Sequence, residues 1–240
     1  MEVHQHSHSP RKKWIHYFWE FLMLFLAVFC GFLAEYQLEH KIEKEKGMQY
    51  IRSFYEDLKT DTAVLSGCIE IYELKQSVFK KRHECFDSMP IQLKSFNPCI
   101  VDFINQASAF PDLVTEDRTM LQLKNAGGLR LLKKADADSI LAYDRMIRIY
   151  TKSETTGLQE LQYRIRGMIR EMINYRYITL REEDPSVSFL NTTDMKVINL
   201  FFVTVDEYGF ACKGMSRSLK AIRKKAVGLL TYFKNKYKLE

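Results

Sequence analysis

The sequence predicts an all-α protein: an N-terminal transmembrane helix, then an elongated antiparallel bundle of three long helices with short helices at its distal end. Three observations carry this. Proline and glycine are sparse, five and ten in 240 residues, so helices run far before a break. Three Pro-free stretches repeat apolar residues at alternating steps of three and four, the period of one helix face. One stretch near the start, Phe21 to Ala34, holds fourteen residues without a charge. With 46% hydrophobic and 28% charged residues, the composition is that of a folded chain.

Fourteen helical residues rise about 21 Å, short of the roughly 30 Å of hydrocarbon in a bilayer. Extension back to Ile15 supplies twenty, with Trp14, Tyr17 and Trp19 at the headgroup level and His16 and Glu20 within snorkelling reach of it. The chain then divides into a basic, His-containing disordered tail (1–13), a signal anchor (14–35) and a helical domain (36–240). Arg11-Lys12-Lys13 before an apolar run also fits a secretory signal. A cut after Ala34, however, puts bulky Phe32 where a small residue is needed, and Phe29 before Cys30 does not suit lipidation, so the anchor is read as uncleaved. The three basic residues abut the run, whereas residues 35–40 carry Glu35 and Glu39 and no Lys or Arg. That asymmetry orients the N-terminus to the cytoplasm and the domain outward.

The first long helix follows Met48, Ile51, Tyr55, Leu58, Thr62, Leu65, Ile69, Tyr72, Gln76, Phe79, His83 and Phe86. Its apolar flank of Phe54, Cys68, Ile71, Leu74 and Val78 is wider than a two-stranded seam requires, which favours a bundle. The second starts after Asp136 or Asp138, either of which suits a helix cap, and runs through Ile140, Tyr143, Ile147 and Tyr150. Beyond the polar "KSETTG" at 152–157 it resumes in a shifted frame as Leu158, Leu161, Ile165, Met168, Met172, Tyr175 and Thr179, either one irregular helix or two in tandem. The third follows Tyr208, Cys212, Met215, Leu219, Ile222, Ala226, Leu229 and Phe233. Between the first two, short helices are expected near 99–109 and 116–125, the latter capped by Thr115 and ended by Gly127-Gly128. Residues 182–196 read as a loop, and "VINLFFVTV" at 197–205 as a short buried helix. Compact turns make consecutive helices antiparallel: the first runs away from the membrane, the second returns, the third goes outward, and Gly127 sits at the far end.

With "RKKWIHYFWEFLMLFLAVFCGFLAE" near its start and "LQLKNAGGLRLL" at 121–132, the chain resembles a family of bacterial single-pass membrane proteins classed as a domain of unknown function. The resemblance covers most of the chain. It implies a membrane-anchored helical domain and no catalytic assignment; the expected location is the bacterial inner membrane, with the helical domain on the periplasmic side.

Chemistry-bearing candidates are few. His4, His6 and His8 lie on one side of an extended tail, where imidazoles can share Cu, Ni or Zn, although a tail of this kind is more often only solvated. Glu20 at the bilayer boundary either snorkels or pairs with a helix of a partner. Five cysteines without a CxxC pair indicate free thiols; Cys85 and Cys99, flanking the turn between Pro90 and Pro98, are the pair that can form a disulfide if the domain meets an oxidising compartment. From Ala211 to Glu240 nine Lys or Arg stand against one acid, a face for anionic lipid or protein; the orientation above excludes nucleic acid. No P-loop, Ser/His/Asp, Cys/His or metal-helix signature appears, and no cofactor is implied. The expected function is a non-enzymatic interaction or sensory module acting through a protein partner or self-association. Alternatives are a metal-responsive protein using the His tail, or an enzyme with a pocket between helices.

Overall fold

A computed structural model describes residues 10–87, 111, 113–177 and 188–240, of which 10–13 and 81–87 by their backbone alone. The described chain is helical: α1 (Pro10–Asp87), α2 (Arg118–Asn125), a 3₁₀ turn (Gly128–Leu131), α3 (Lys134–Ser153), a π turn (Glu154–Leu158), α4 (Gln159–Met172) and α5 (Met195–Tyr237). The described residues make one isolated antiparallel bridge, Ile173 with Leu190, and no named strand. The chain forms two units, Met1–Tyr50 and Ile51–Glu240.

In the first unit, α1 carries its apolar run entirely on the surface. Trp14 is 82% exposed and Phe21 and Phe32 are 67% exposed, and none of the most apolar window is buried. A core helix would hide these rings. This is also the one described helix long and apolar enough to cross a membrane, and its place near the N-terminus suits an anchor or a signal sequence. Phe21, Phe25 and Phe29 stack along one face at centroid spacings of 6.3 and 5.9 Å, as the i, i+4 rhythm of a helix dictates.

In the second unit the three-four stripes become the core. From α1 come Ile51, Phe54, Tyr55, Leu58, Leu65, Cys68, Ile69, Tyr72 and Phe79, all buried, while Ile71 and Leu74 of the expected flank are exposed. From α5 every residue of the predicted stripe from Tyr208 to Phe233 is buried. That helix begins earlier than expected: Ile198, Phe201 and Val205 extend the same buried face, and the Asp194 carboxylate accepts from the Lys196 N–H at 2.8 Å to cap it. "VINLFFVTV" is therefore the first part of α5, since burial of its apolar side chains, each worth about 1.5–3 kcal/mol, outweighs the smaller helix penalty of its β-branched residues.

The second stretch is one helix with a π turn at the polar interruption. The extra residue rotates the frame, so the buried line beyond it is Leu158, Gln162, Ile165, Ile169 and Met172, while Tyr175, expected inside, is exposed. Past Met172 the chain leaves the helix. The Asn174 N–H donates to the Phe189 carbonyl at 2.9 Å and the Asn191 N–H to that of Met172 at 2.7 Å, drawing the ends of the α4–α5 connection together. Tyr177 packs edge-on against Phe189 at 5.2 Å.

Side-chain pairs set the helix directions within this unit and correct the alternating order. Asp61 meets Tyr143 and Tyr72 meets Glu154, so α1 and α3 run parallel. Ser66 meets Arg223 while Lys75 meets Tyr208, so α5 runs against α1. A tight turn forces antiparallel neighbours, but the connection from Asp87 to Arg118 is long enough to return the chain to the level of Asp61, where the Glu116 N–H donates to its carboxylate at 2.9 Å. The segment around Gly127 thus lies at the Asp61 end of the unit. Gly127 itself has φ 67°, the left-handed turn expected after α2.

Candidate functional site

Charged and hydroxyl groups penetrate the core of the second unit at three levels. The central level is the richest. Lys75, 1% exposed, stands three residues after Tyr72 on the core face of α1 and donates to the Tyr208 hydroxyl of α5 at 2.9 Å. Its Nζ also lies 5.2 Å from the Tyr208 ring centroid, and Phe79 packs edge-on against that ring at 5.7 Å. Burial pushes the Lys75 ammonium below its ordinary value, opposed by the Cys212 thiol and assisted by the Arg166 charge. The Cys212 thiol is itself driven up to about 11 by burial, against the influence of Lys75 and Tyr208, so it is no ready nucleophile.

One step along, the π turn places Glu154 inside the bundle, 5% exposed. Its Oε1 accepts from Tyr150 at 2.9 Å and from Tyr72 at 3.3 Å. Both phenols are raised, first by burial, and each is further raised by the charge of Glu154. The sequence reason is local: "KSETTG" contains no apolar residue to bury, so the one buried residue among 152–157 is the glutamate, and two tyrosines satisfy it.

At the Asp61 level, the Tyr143 hydroxyl donates to Asp61 at 2.7 Å and Phe54 packs edge-on between Tyr143 and Phe233, at 6.1 and 6.2 Å. The third level is a clasp. Asp136, wholly buried, accepts from Tyr232 at 2.8 Å and also from Lys236 and Tyr237, joining the start of α3 to the end of α5. Burial pushes its carboxyl up, but these three donors outweigh burial and hold it below the usual carboxylate range.

Several expected site residues fall elsewhere. Asp136 and Asp138 do not cap α3; Lys133 occupies that position, and the Asp136 carboxylate is committed to α5 instead. Thr115 is not the cap of α2, which begins after Asp117 because Glu116 is held by Asp61. Glu20 lies on the exposed surface of α1. His4, His6, His8 and Cys99 lie outside the described residues, as does the side chain of Cys85; the expected helix at 99–109 lies there as well. Cys68 and Cys212 are buried thiols outside any disulfide, as expected, and Cys30 is exposed. Among the described residues no group of three or more His, Cys, Asp or Glu is disposed to hold a metal ion.

The buried charges were within reach of the sequence. Asp61 stands three residues after Leu58, and Lys75 three after Tyr72, on the stripe itself. The neighbouring Thr62 and Gln76 are equally compatible with a three-four rhythm and hide them.

What these residues do together is fix partners. Lys75, Glu154, Asp61 and Asp136 are each paired with a tyrosine or a backbone donor from another part of the unit, so a slip of one turn would strand a charge in the core. Compared with protein-family models, with curated proteins and with solved structures, the chain matches none.

Proposed function

We propose that the protein is a non-enzymatic, single-pass membrane protein whose bundle of three long helices, α1 from Ile51, α3 with the π turn and α4, and α5, serves as an interaction or sensory module. It acts through a protein partner or a second copy. The observation that carries this reading is the division of labour along α1: an apolar face exposed on all sides from Trp14 to Leu33, then from Ile51 a stripe committed to a packed core. Exposed rings of that size need lipid around them, and an uninterrupted helix through residues 34–50 keeps the domain tethered to that segment. The charge asymmetry and the family resemblance support the inner membrane of a bacterium, with the N-terminus in the cytoplasm. Glu20, at the edge of the apolar run, is the residue assigned to a partner's transmembrane helix.

The test is isolation of the full-length chain, tagged at its C-terminus, from membranes dissolved in mild detergent after in-cell crosslinking. One stoichiometric partner or a defined oligomer, weakened by Glu20→Leu without loss of membrane insertion, is the expected result. A monomer with no crosslinked species, or turnover of a substrate by the purified chain, contradicts the proposal.

A further inference from the structure

The Lys75–Tyr208 pair holds α1 and α5 in register, and one turn further along α1 the Phe79 ring meets the Tyr208 ring edge-on at 5.7 Å. Beside this contact the seam between the two helices does not close. A pocket of about 300 Å³ remains, whose lining includes Gln76, Phe79 and Lys80 of α1 and Asp206, Phe210 and Lys213 of α5. Its size stands at the lower end of the roughly 300–1,000 Å³ of ligand pockets, and it shares their make-up of apolar rings with a few polar groups.

Two features of the wall suit a ligand. Phe210 is 73% exposed, and no described large hydrophobic of the second unit is more so, although the buried Phe79 lines the same pocket. An apolar occupant would take that ring out of water. The lysines are the second feature. Neither Lys80 nor Lys213 has a hydrogen-bond or ion-pair partner among the described residues, whereas Lys220, two turns further along α5, pairs with Glu73 of α1 at 2.7 Å. Asp206, the carboxylate of the lining, is itself partnered.

One kind of molecule matches these groups. Phenyl rings favour another aromatic ring, edge-on or offset, over an aliphatic chain of equal area. Ammonium groups favour a carboxylate, through charge-assisted hydrogen bonds, and two of them repel a metal cation. We propose that this pocket between α1 and α5 binds a small aromatic carboxylate, its ring against Phe79 and Phe210 and its acid on Lys80 and Lys213. The site goes beyond the interaction reading above and stands on the packing of the second unit alone, whichever partner the chain has.

The experiment is photocrosslinking of the full-length chain in detergent micelles with para-benzoylbenzoate, an aromatic carboxylate whose ketone inserts into nearby C–H bonds on irradiation, followed by peptide mapping. Adducts within residues 76–80 and 206–213 are expected, displaced more strongly by phenylpropionate than by hexanoate at the same concentration. Lys80→Gln combined with Lys213→Gln is expected to cut this labelling about tenfold or more, while Lys220→Gln leaves it unchanged. Absence of adducts from these two segments, labelling that survives the loss of both lysines, or equal displacement by hexanoate overturns the proposal. So does an equal loss, in the double variant, of labelling by neutral benzophenone, which has no acid for the lysines to hold. The three substituted lysines are all exposed, so the fold does not depend on them.

Discussion

The Lys75 ammonium of α1 donates to the Tyr208 hydroxyl of α5 at 2.9 Å in a position 1% exposed to solvent. A lysine held there against a phenol costs stability while it is charged. Its folded value is depressed below about 10.4, so between those two values the folded chain binds fewer protons than the unfolded one and stability climbs with pH. Lys75→Met is therefore expected to raise stability at pH 7, by about 1 kcal/mol or more. The gain should shrink as the pH approaches about 10. Thermal unfolding of the detergent-solubilised chain at several pH values reads it; a gain independent of pH speaks against a buried charge.

Glu154 carries the opposite expectation. Removing the acceptor leaves the Tyr72 and Tyr150 hydroxyls buried without it. Glu154→Ala should lose about 3 kcal/mol, and Glu154→Gln distinctly less, because its amide oxygen still accepts. Denaturant unfolding of the two variants side by side gives the difference, and equal losses would show that the tyrosines do not depend on this oxygen.

The Asp136 clasp sets the response to acid. With its folded value below the usual carboxylate range, its contribution is present above about 3.9 and is lost as pH falls through the lowered value. Asp136→Asn should cost about 2 kcal/mol at neutral pH and leave a shallower acid-unfolding profile. The check is circular dichroism against pH. An acid limb as steep as that of the wild type would mean that other carboxylates govern it.

Gly127 turns the chain with φ 67° between α2 and the 3₁₀ turn, and open space surrounds the position a Cβ would take. Strain, not collision, is then the whole cost. Gly127→Ala should destabilise by about 1 kcal/mol, whereas Gly157→Ala, inside the π turn and equally unhindered, should not. Matched melting curves separate the two.

Much of this architecture was legible in the apolar rhythm. The buried face of α5 from Tyr208 to Phe233 and that of α1 from Ile51 to Phe79 are the stripes read from spacing, because a helix of period 3.6 leaves few other ways to hide those side chains. Directions were not legible. Periodicity is blind to polarity, and a tight-turn assumption placed α3 antiparallel to α1, where the Asp61–Tyr143 and Tyr72–Glu154 pairs make it parallel. The polar levels were missed for a related reason. Asp61, Lys75 and Asp136 look like surface charges or caps in sequence, and only a tyrosine or backbone donor from a distant helix makes their burial tolerable. The shifted frame after "KSETTG" was visible, but its cause, a π turn that carries Glu154 inward, depends on those same distant phenols.

The most direct measurement is alkaline carbonate washing of membranes from cells making the full-length chain, followed by intact-mass analysis of the pelleted protein. A chain that stays in the washed pellet and retains the residues from Trp14 to Ala34 is the predicted result. Release into the supernatant, or a mature product that starts beyond Ala34, would contradict a lipid-embedded α1.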